Sequence, residues 1–171
     1  MDKILRTQLG HIYNHIDAQA EELEIAARLL SQAVDSEGNI LLKTFHDFTL
    51  IEDLLLQGSL SLPDISRFST IEDIDTPDRV LVVGSVIDPE VKSFVTELQD
   101  KGSEFVLIAT FNKKESDFID SINHYIDLNS PRPLVPTPNF DKIINPYINV
   151  FLYAYYHLYT FIDEMTNEDY E

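Results

Sequence analysis

The stretch from Arg79 to Phe111, RVLVVGSVIDPEVKSFVTELQDKGSEFVLIATF, limits the possible folds of this chain more than any other. Its apolar run at 80–84 lacks the alternation of a half-exposed strand, so it reads as a strand covered on both faces. Asp88 then offers a side-chain acceptor at the N-cap, and Pro89 fits the first helical position, where its missing N–H costs nothing. Val91, Phe94, Val95 and Leu98 line one helical face, and Gly102 supplies the left-handed stop. FVLIAT at 105–110 is a second buried strand. Two such strands joined by a helix form a βαβ unit, which requires parallel pairing and a right-handed crossover.

The flanking sequence extends that alternation. Ile4, Leu9, Ile12, Ile16, Leu23, Ala27, Leu30 and Val34 recur at mainly three- and four-residue steps, so 3–34 reads as one long amphipathic helix, with Gly10 a weak point and a seven-residue gap after Ile16. A strand at 39–43 (NILLK) follows, then a helix in LIEDLLL, a short edge strand at 60–64 (LSLPD, with Pro63 barring a central place) and a loop over 65–78. KKESDFIDSI reads as a short helix, HYIDL at 124–128 as the last strand, PRPLVPTP as an extended connector, and 140–165 as a closing helix. The pattern predicts one α/β domain over 1–171: a three-layer, doubly wound sheet of about five mainly parallel strands with long N- and C-terminal helices. The closing helix carries Ile144, Ile148, Phe151, Tyr155, Leu158 and Ile162 on one stripe, with Tyr147, Tyr153 and Phe161 elsewhere. Such a helix asks for burial on more than one side, and a homodimer packed through this helix and the first is the expected answer.

With 30 Asp and Glu against 12 Lys and Arg, the net charge of −18 repels a phosphate backbone or an anionic bilayer at long range, so neither nucleic acid nor membrane is expected as a partner. A small anion held by local donors stays possible, because exposed charges are screened beyond roughly 8 Å. The uncharged run IINPYINVFLYAYYHLYTFI has the length of a membrane span, but Asn145, Pro146, Asn149, His157 and five tyrosines interrupt it, and no Lys or Arg anchors its far end. The polar N-terminal residues do not read as a signal peptide, and without cysteine there are no disulfides or thiolate sites, so a cytoplasmic address is expected. His11 and His15 lie one helical turn apart but lack the glutamate and third ligand of a metal site, so no metal or cofactor is expected. The tail DEMTNEDYE reads as a solvated acidic end. P-loop, GxGxxG and GxSxG patterns are missing from the sequence.

The layout, and VLVVGSVIDPEVKSFVTELQDKGSEFVLIAT in particular, resembles the sugar isomerase (SIS) domain, most closely its phosphoheptose-isomerase-type members. In that family an apolar strand is followed by S-x-S-G-x-T-P-E, a helix, K-x-x-G and a strand ending in Thr. Pro89, Glu90, Lys101, Gly102 and Thr110 fall in step, Ser85 takes the place of the second serine, Val86 replaces the glycine, and Asp88 replaces the phosphate-binding threonine. After NILL the family's G-x-G-x-S becomes KTFHDF, so side chains fill space that glycines leave open. The resemblance implies a sugar phosphate bound beyond the carboxyl ends of the strands, with Lys43, Thr44, His46, Ser85, Asp88, Thr110, Asn112, Lys113 and Lys114 as candidate binding residues. It also implies a catalytic histidine at His157, in YYHLYTFIDE, and a base at Glu52 or Asp53. Three functions follow as expectations. The first is a sugar-phosphate-binding protein with diverged ligand loops; the others are an active aldose–ketose phosphosugar isomerase and a non-catalytic interaction scaffold.

Overall fold

The computed structural model describes residues 2–167; residues 168–171 of the acidic tail lie outside the described residues. The chain runs α1 (Asp2–Asp17), α2 (Ala20–Asp35), β1 (Ile40–Thr44), α3 (Glu52–Gln57), β2 (Ile65–Arg67), β3 (Arg79–Val83), α4 (Pro89–Lys101), β4 (Phe105–Ala109), α5 (Ser116–Asp120), β5 (Tyr125–Asp127), β6 (Val135–Pro136), β7 (Lys142–Ile143) and α6 (Tyr147–Thr166). Five strands form one parallel sheet in the order β2-β1-β3-β4-β5. Strand periodicity divides the core between its two faces. Leu81 and Val83 of β3 pack with buried residues of α1, α2 and α6, whereas Val80 and Val82 pack with Val91, Val95 and Leu98 of α4. The expected three-layer α/β architecture is therefore present, and each fully buried aliphatic side chain contributes about 1.5–3 kcal/mol to it.

The βαβ unit forms as its caps dictate. Asp88 accepts from the Val91 N–H at 2.9 Å, Pro89 opens α4, and Gly102 closes it at φ 76°. Four boundaries differ from expectation, each for a local reason. The single helix over 3–34 is two helices, broken at Ala18 and Gln19 inside the gap after Ile16. The break frees Gln19 to complete the open edge of β5: its amide donates to the Asp127 carbonyl at 2.9 Å and accepts from the Asp127 N–H at 2.8 Å. The edge strand lies at 65–67 rather than 60–64, because Pro63 has no N–H and Asp64 turns through φ 52° before pairing can begin. The Pro-rich connector folds back as an antiparallel ribbon of β6 and β7. Consequently α6 starts at Tyr147 instead of 140; Pro146 biases Asn145 away from helical geometry, and Ile144 sits half-exposed at φ 63°, outside the helical stripe.

The apolar stripe of α6 is covered within the chain. Val150, Phe151, Ala154, Tyr155, Leu158 and Ile162 are buried in the core shared with α1 and α2. Several tyrosines turn their hydroxyls to polar partners: Tyr147 donates to Asp47, Tyr153 to Asp17 at 2.7 Å, and Tyr155 to the Leu60 carbonyl. Burial pushes the Tyr155 hydroxyl pKa up, and the Asp17 hydrogen bond followed by burial raises that of Tyr153. Among the described residues no helix is long and apolar enough to cross a membrane.

Candidate functional site

In an open parallel sheet the strand order reverses at one point, and the loops leaving the two strands there part to form a crevice. Here that point lies between β1 and β3. Phe45, buried after β1, packs edge-on against Phe94 of α4, and its N–H bonds the Val83 carbonyl at 2.8 Å. His46 follows in the left-handed region at φ 57°, and its ring reaches across the switch point. One ring nitrogen, Nε2, lies 2.6 Å from Asp88 Oδ2. The other, Nδ1, lies 3.1 Å from Ser85 Oγ and accepts from the Ser85 N–H at 3.2 Å. A backbone N–H can only donate, so Nδ1 is the acceptor and the ring proton sits on Nε2, donated to Asp88. Burial pushes the Asp88 carboxyl pKa up, but the Val91 N–H and His46 outweigh it and hold it below the usual range.

This arrangement fills the place where a helix N-terminus would otherwise meet an external anion. It also bears on metal binding. His46, Asp88 and Glu90 bring donor atoms within 4.8 Å of one another. Yet the Nε2 facing Asp88 carries the proton, and moving that proton to Nδ1 would set N–H against the Ser85 N–H. His46 and Asp88 therefore suit a direct hydrogen bond better than a shared cation.

One strand further along the sheet the end is open. Val86, Thr110, Phe111, Asn112, Lys113, Lys114, Asp127, Asn129 and Pro131 line a pocket of about 570 Å³ beyond the carboxyl ends of β4 and β5, within the range of small-molecule sites. Asn112 caps the short turn that carries both lysines, accepting from the Lys114 N–H at 3.1 Å. Neither lysine makes an ion pair among the described residues. Asp127 shapes the pocket's edge from within. Its Oδ1 accepts from the N–H groups of Phe111 and Asn129, each at 2.9 Å, and its Oδ2 lies 3.1 Å from His15 Nε2. A smaller cavity of about 340 Å³, between Gly102–Phe105 and Ser121–His124, lies at the opposite, N-terminal ends of the same strands.

The candidate residues thus separate into groups. Thr110, Asn112, Lys113 and Lys114 share the open pocket, while His46, Ser85 and Asp88 bond one another at the switch point. Lys43 belongs to neither; its ammonium sits 5.0–5.9 Å from the ring centroids of Phe45, Phe68 and Phe94. Buried Thr44 donates to Glu52, whose other oxygen accepts from Arg67 Nε at 2.8 Å; Arg67 also bonds Asp53 at 2.7 Å. His157 rests edge-on against Tyr153 and lies 3.5 Å from Asp17. Among the described residues no hydrogen bond or ion pair joins it to Glu52 or Asp53. Sequence reasoning missed Asp127 and Asn129, although the same rule that selects residues just past β4 applies to the end of β5.

A protein-family model described as "Domain of unknown function (DUF2529)" matches residues 1–166. No curated protein matches the chain.

Proposed function

The chain belongs to the DUF2529 family, and we propose that it binds a sugar phosphate or a related carbohydrate derivative in the pocket beyond β4 and β5, with Lys113 and Lys114 meeting the anionic end. One observation carries the reading: four of the nine candidate binding residues line a single pocket of about 570 Å³ at the binding end of a parallel sheet. In a chain with 30 acidic residues, two neighbouring lysines without a carboxylate partner among the described residues are a local exception in sign. Asn112 and Asn129 add groups suited to hydroxyls, and Phe111 offers a flat apolar wall. The strand order supports kinship with SIS-type domains, whose anion site would here be shifted by one strand because Asp88 and His46 fill the original one.

The proposal stops at binding rather than isomerisation, because Glu52 is committed to Thr44 and Arg67, and His157 to Asp17 and Tyr153. A cytoplasmic address and a homodimer go with it, the dimer resting on exposed Ile4 of α1 and Tyr156 of α6; sedimentation of the intact chain tests the latter. The binding test is the thermal midpoint with sedoheptulose 7-phosphate, fructose 6-phosphate, the unphosphorylated sugars and inorganic phosphate. A ligand at a hundredfold its Kd stabilises by about 2.7 kcal/mol, or roughly 5–10 °C for a chain of this size. The expected result is a rise with the sugar phosphates only, lost in Lys113→Ala/Lys114→Ala. No rise in the folded protein, or a rise that survives the double substitution, would overturn the reading.

A further inference from the structure

We propose that Asp127 is a positioning residue of the pocket beyond β4 and β5: one carboxylate oxygen holds both of its walls, so that the pocket is ordered before a ligand arrives. The inference rests on the reading of that pocket as a sugar-phosphate site and adds how its affinity is set. Ala109 and Asp127 are the last paired residues of β4 and β5. The Leu128 N–H closes the ladder on the Ala109 carbonyl at 3.0 Å, and the residues that follow need other partners. Asp127 Oδ1 supplies one to each side. It accepts from the N–H of Phe111 beyond β4 and from the N–H of Asn129 beyond β5, each at 2.9 Å, and both residues line the pocket.

The first of these bonds leads directly to the lysines. Phe111 precedes Asn112, whose side chain caps the turn carrying Lys113 and Lys114, so fixing the Phe111 N–H fixes where that turn begins. On the other side Asn129 takes the left-handed region at φ 47° and closes a turn on the side chain two residues before it. The carboxylate is held from behind. His15 Nε2 lies 3.1 Å from Oδ2, and the Gln19 amide bonds both the N–H and the carbonyl of Asp127. Hydrogen bonds to an ionised acceptor are the stronger kind, and walls ordered beforehand spare the ligand the cost of ordering them.

The same residue also works against the ligand. Among the lining residues it alone is acidic, so its charge opposes the anion that Lys113 and Lys114 attract. Position and charge therefore act on affinity in opposite directions, and two substitutions separate them. Asp127→Asn loses the charge but keeps an oxygen that can accept from both N–H groups. Its amide then faces His15, whose exposed ring can carry its proton on Nδ1 and accept at Nε2. Asp127→Ala loses the charge and the oxygen together. Both variants keep the backbone bonds to Gln19, and the deeper tie between the two loops, from the Ser130 N–H to Thr110 Oγ1 at 3.3 Å, does not involve the side chain.

The test titrates the full chain and both variants with fructose 6-phosphate and sedoheptulose 7-phosphate by calorimetry, and follows exchange of the Phe111 and Asn129 amides without ligand by NMR. Asp127→Ala is expected to bind about tenfold more weakly than wild type, with both amides exchanging faster. Asp127→Asn should bind at least as tightly as wild type and keep the amides protected. Asp127→Gln, which carries the oxygen outward past the two N–H groups, should behave as the alanine variant does and replaces it if that variant is unstable. A charge effect alone would tighten binding in all three variants, and a general loss of stability would weaken the asparagine variant along with the alanine one. Either pattern would overturn the proposal, as would amide exchange unchanged in Asp127→Ala, while leaving the pocket reading in place. A folded wild type that binds neither sugar phosphate would overturn the pocket reading itself, and this inference with it.

Discussion

Two neighbouring regions beyond the carboxyl ends of the same sheet treat charge in opposite ways. At the switch point between β1 and β3 the charged groups are answered from inside: Asp88 by His46 and the Val91 N–H, Glu52 by Arg67 and Thr44. Beyond β4 and β5 the carboxylate of Asp127 is likewise consumed by the fold, but Lys113 and Lys114 are left without a carboxylate partner among the described residues. A helix N-terminus attracts an anion because its first N–H groups lack partners, and a side chain that supplies the anion removes the attraction. An external anion is therefore better served where cations stand unanswered, one strand away from where the βαβ motif alone would put it.

The largest predicted effect tests whether the filled region depends on its packed floor. Phe48, wholly buried beneath the turn after β1, meets Tyr147 and Phe151. Phe48→Ala should cost about 3–5 kcal/mol in urea unfolding, by lost burial plus the cavity left behind. A cost below about 1 kcal/mol would mean the turn does not rest on that ring. Next comes Asp88. Asp88→Ala removes the α4 cap and should cost about 1–2 kcal/mol, whereas Asp88→Asn keeps the cap. The sign with pH follows from the carboxylate's depressed pKa in the folded state. Its ionised form stabilises the fold above the unfolded value of about 3.9, and that contribution disappears as pH falls through the lower, folded value. The stability difference between wild type and Asp88→Asn should thus be flat from about pH 5 to 7 and shrink on acidification below about pH 4. A difference that grows as pH falls would reject the assigned bonding.

Sequence alone made the layers legible, because burial on both faces of a parallel strand leaves continuous apolar runs, and the Asp88-Pro89 and Gly102 signals mark both ends of α4. It failed where tertiary partners decide. Nothing near Gln19 says that its amide will close the edge of β5, over a hundred residues away. The seven-residue gap was the trace of that break, and Pro146 the trace of the late start of α6. Individual site residues were legible because binding ends of strands can be counted along the chain. Their grouping was not: His46, Ser85 and Asp88 meet only once β1 and β3 become neighbours, which is a fact of strand order. The aromatic nest that takes Lys43 out of the ligand crevice likewise draws on three separate elements.

The smallest expected effect on stability is the one that separates the two regions most sharply. Replacing Lys113 and Lys114 by alanine takes the net charge from −18 to −20 (−18 − 2), which raises self-repulsion, but both side chains are exposed and neither ends an ion pair among the described residues. At physiological salt, where the Debye length is about 8 Å, the stability change should stay within about 0.5 kcal/mol, turning slightly more destabilising at low salt. The sugar-phosphate-dependent rise in midpoint should nevertheless vanish. Asp88→Asn should do the reverse, leaving that rise intact, because its charge faces His46 and the start of α4. A loss above 1 kcal/mol from the lysine pair without ligand would instead make the lysines part of the fold. The two regions would then no longer differ, since the charges beyond β4 would be answered from inside like those at the switch point.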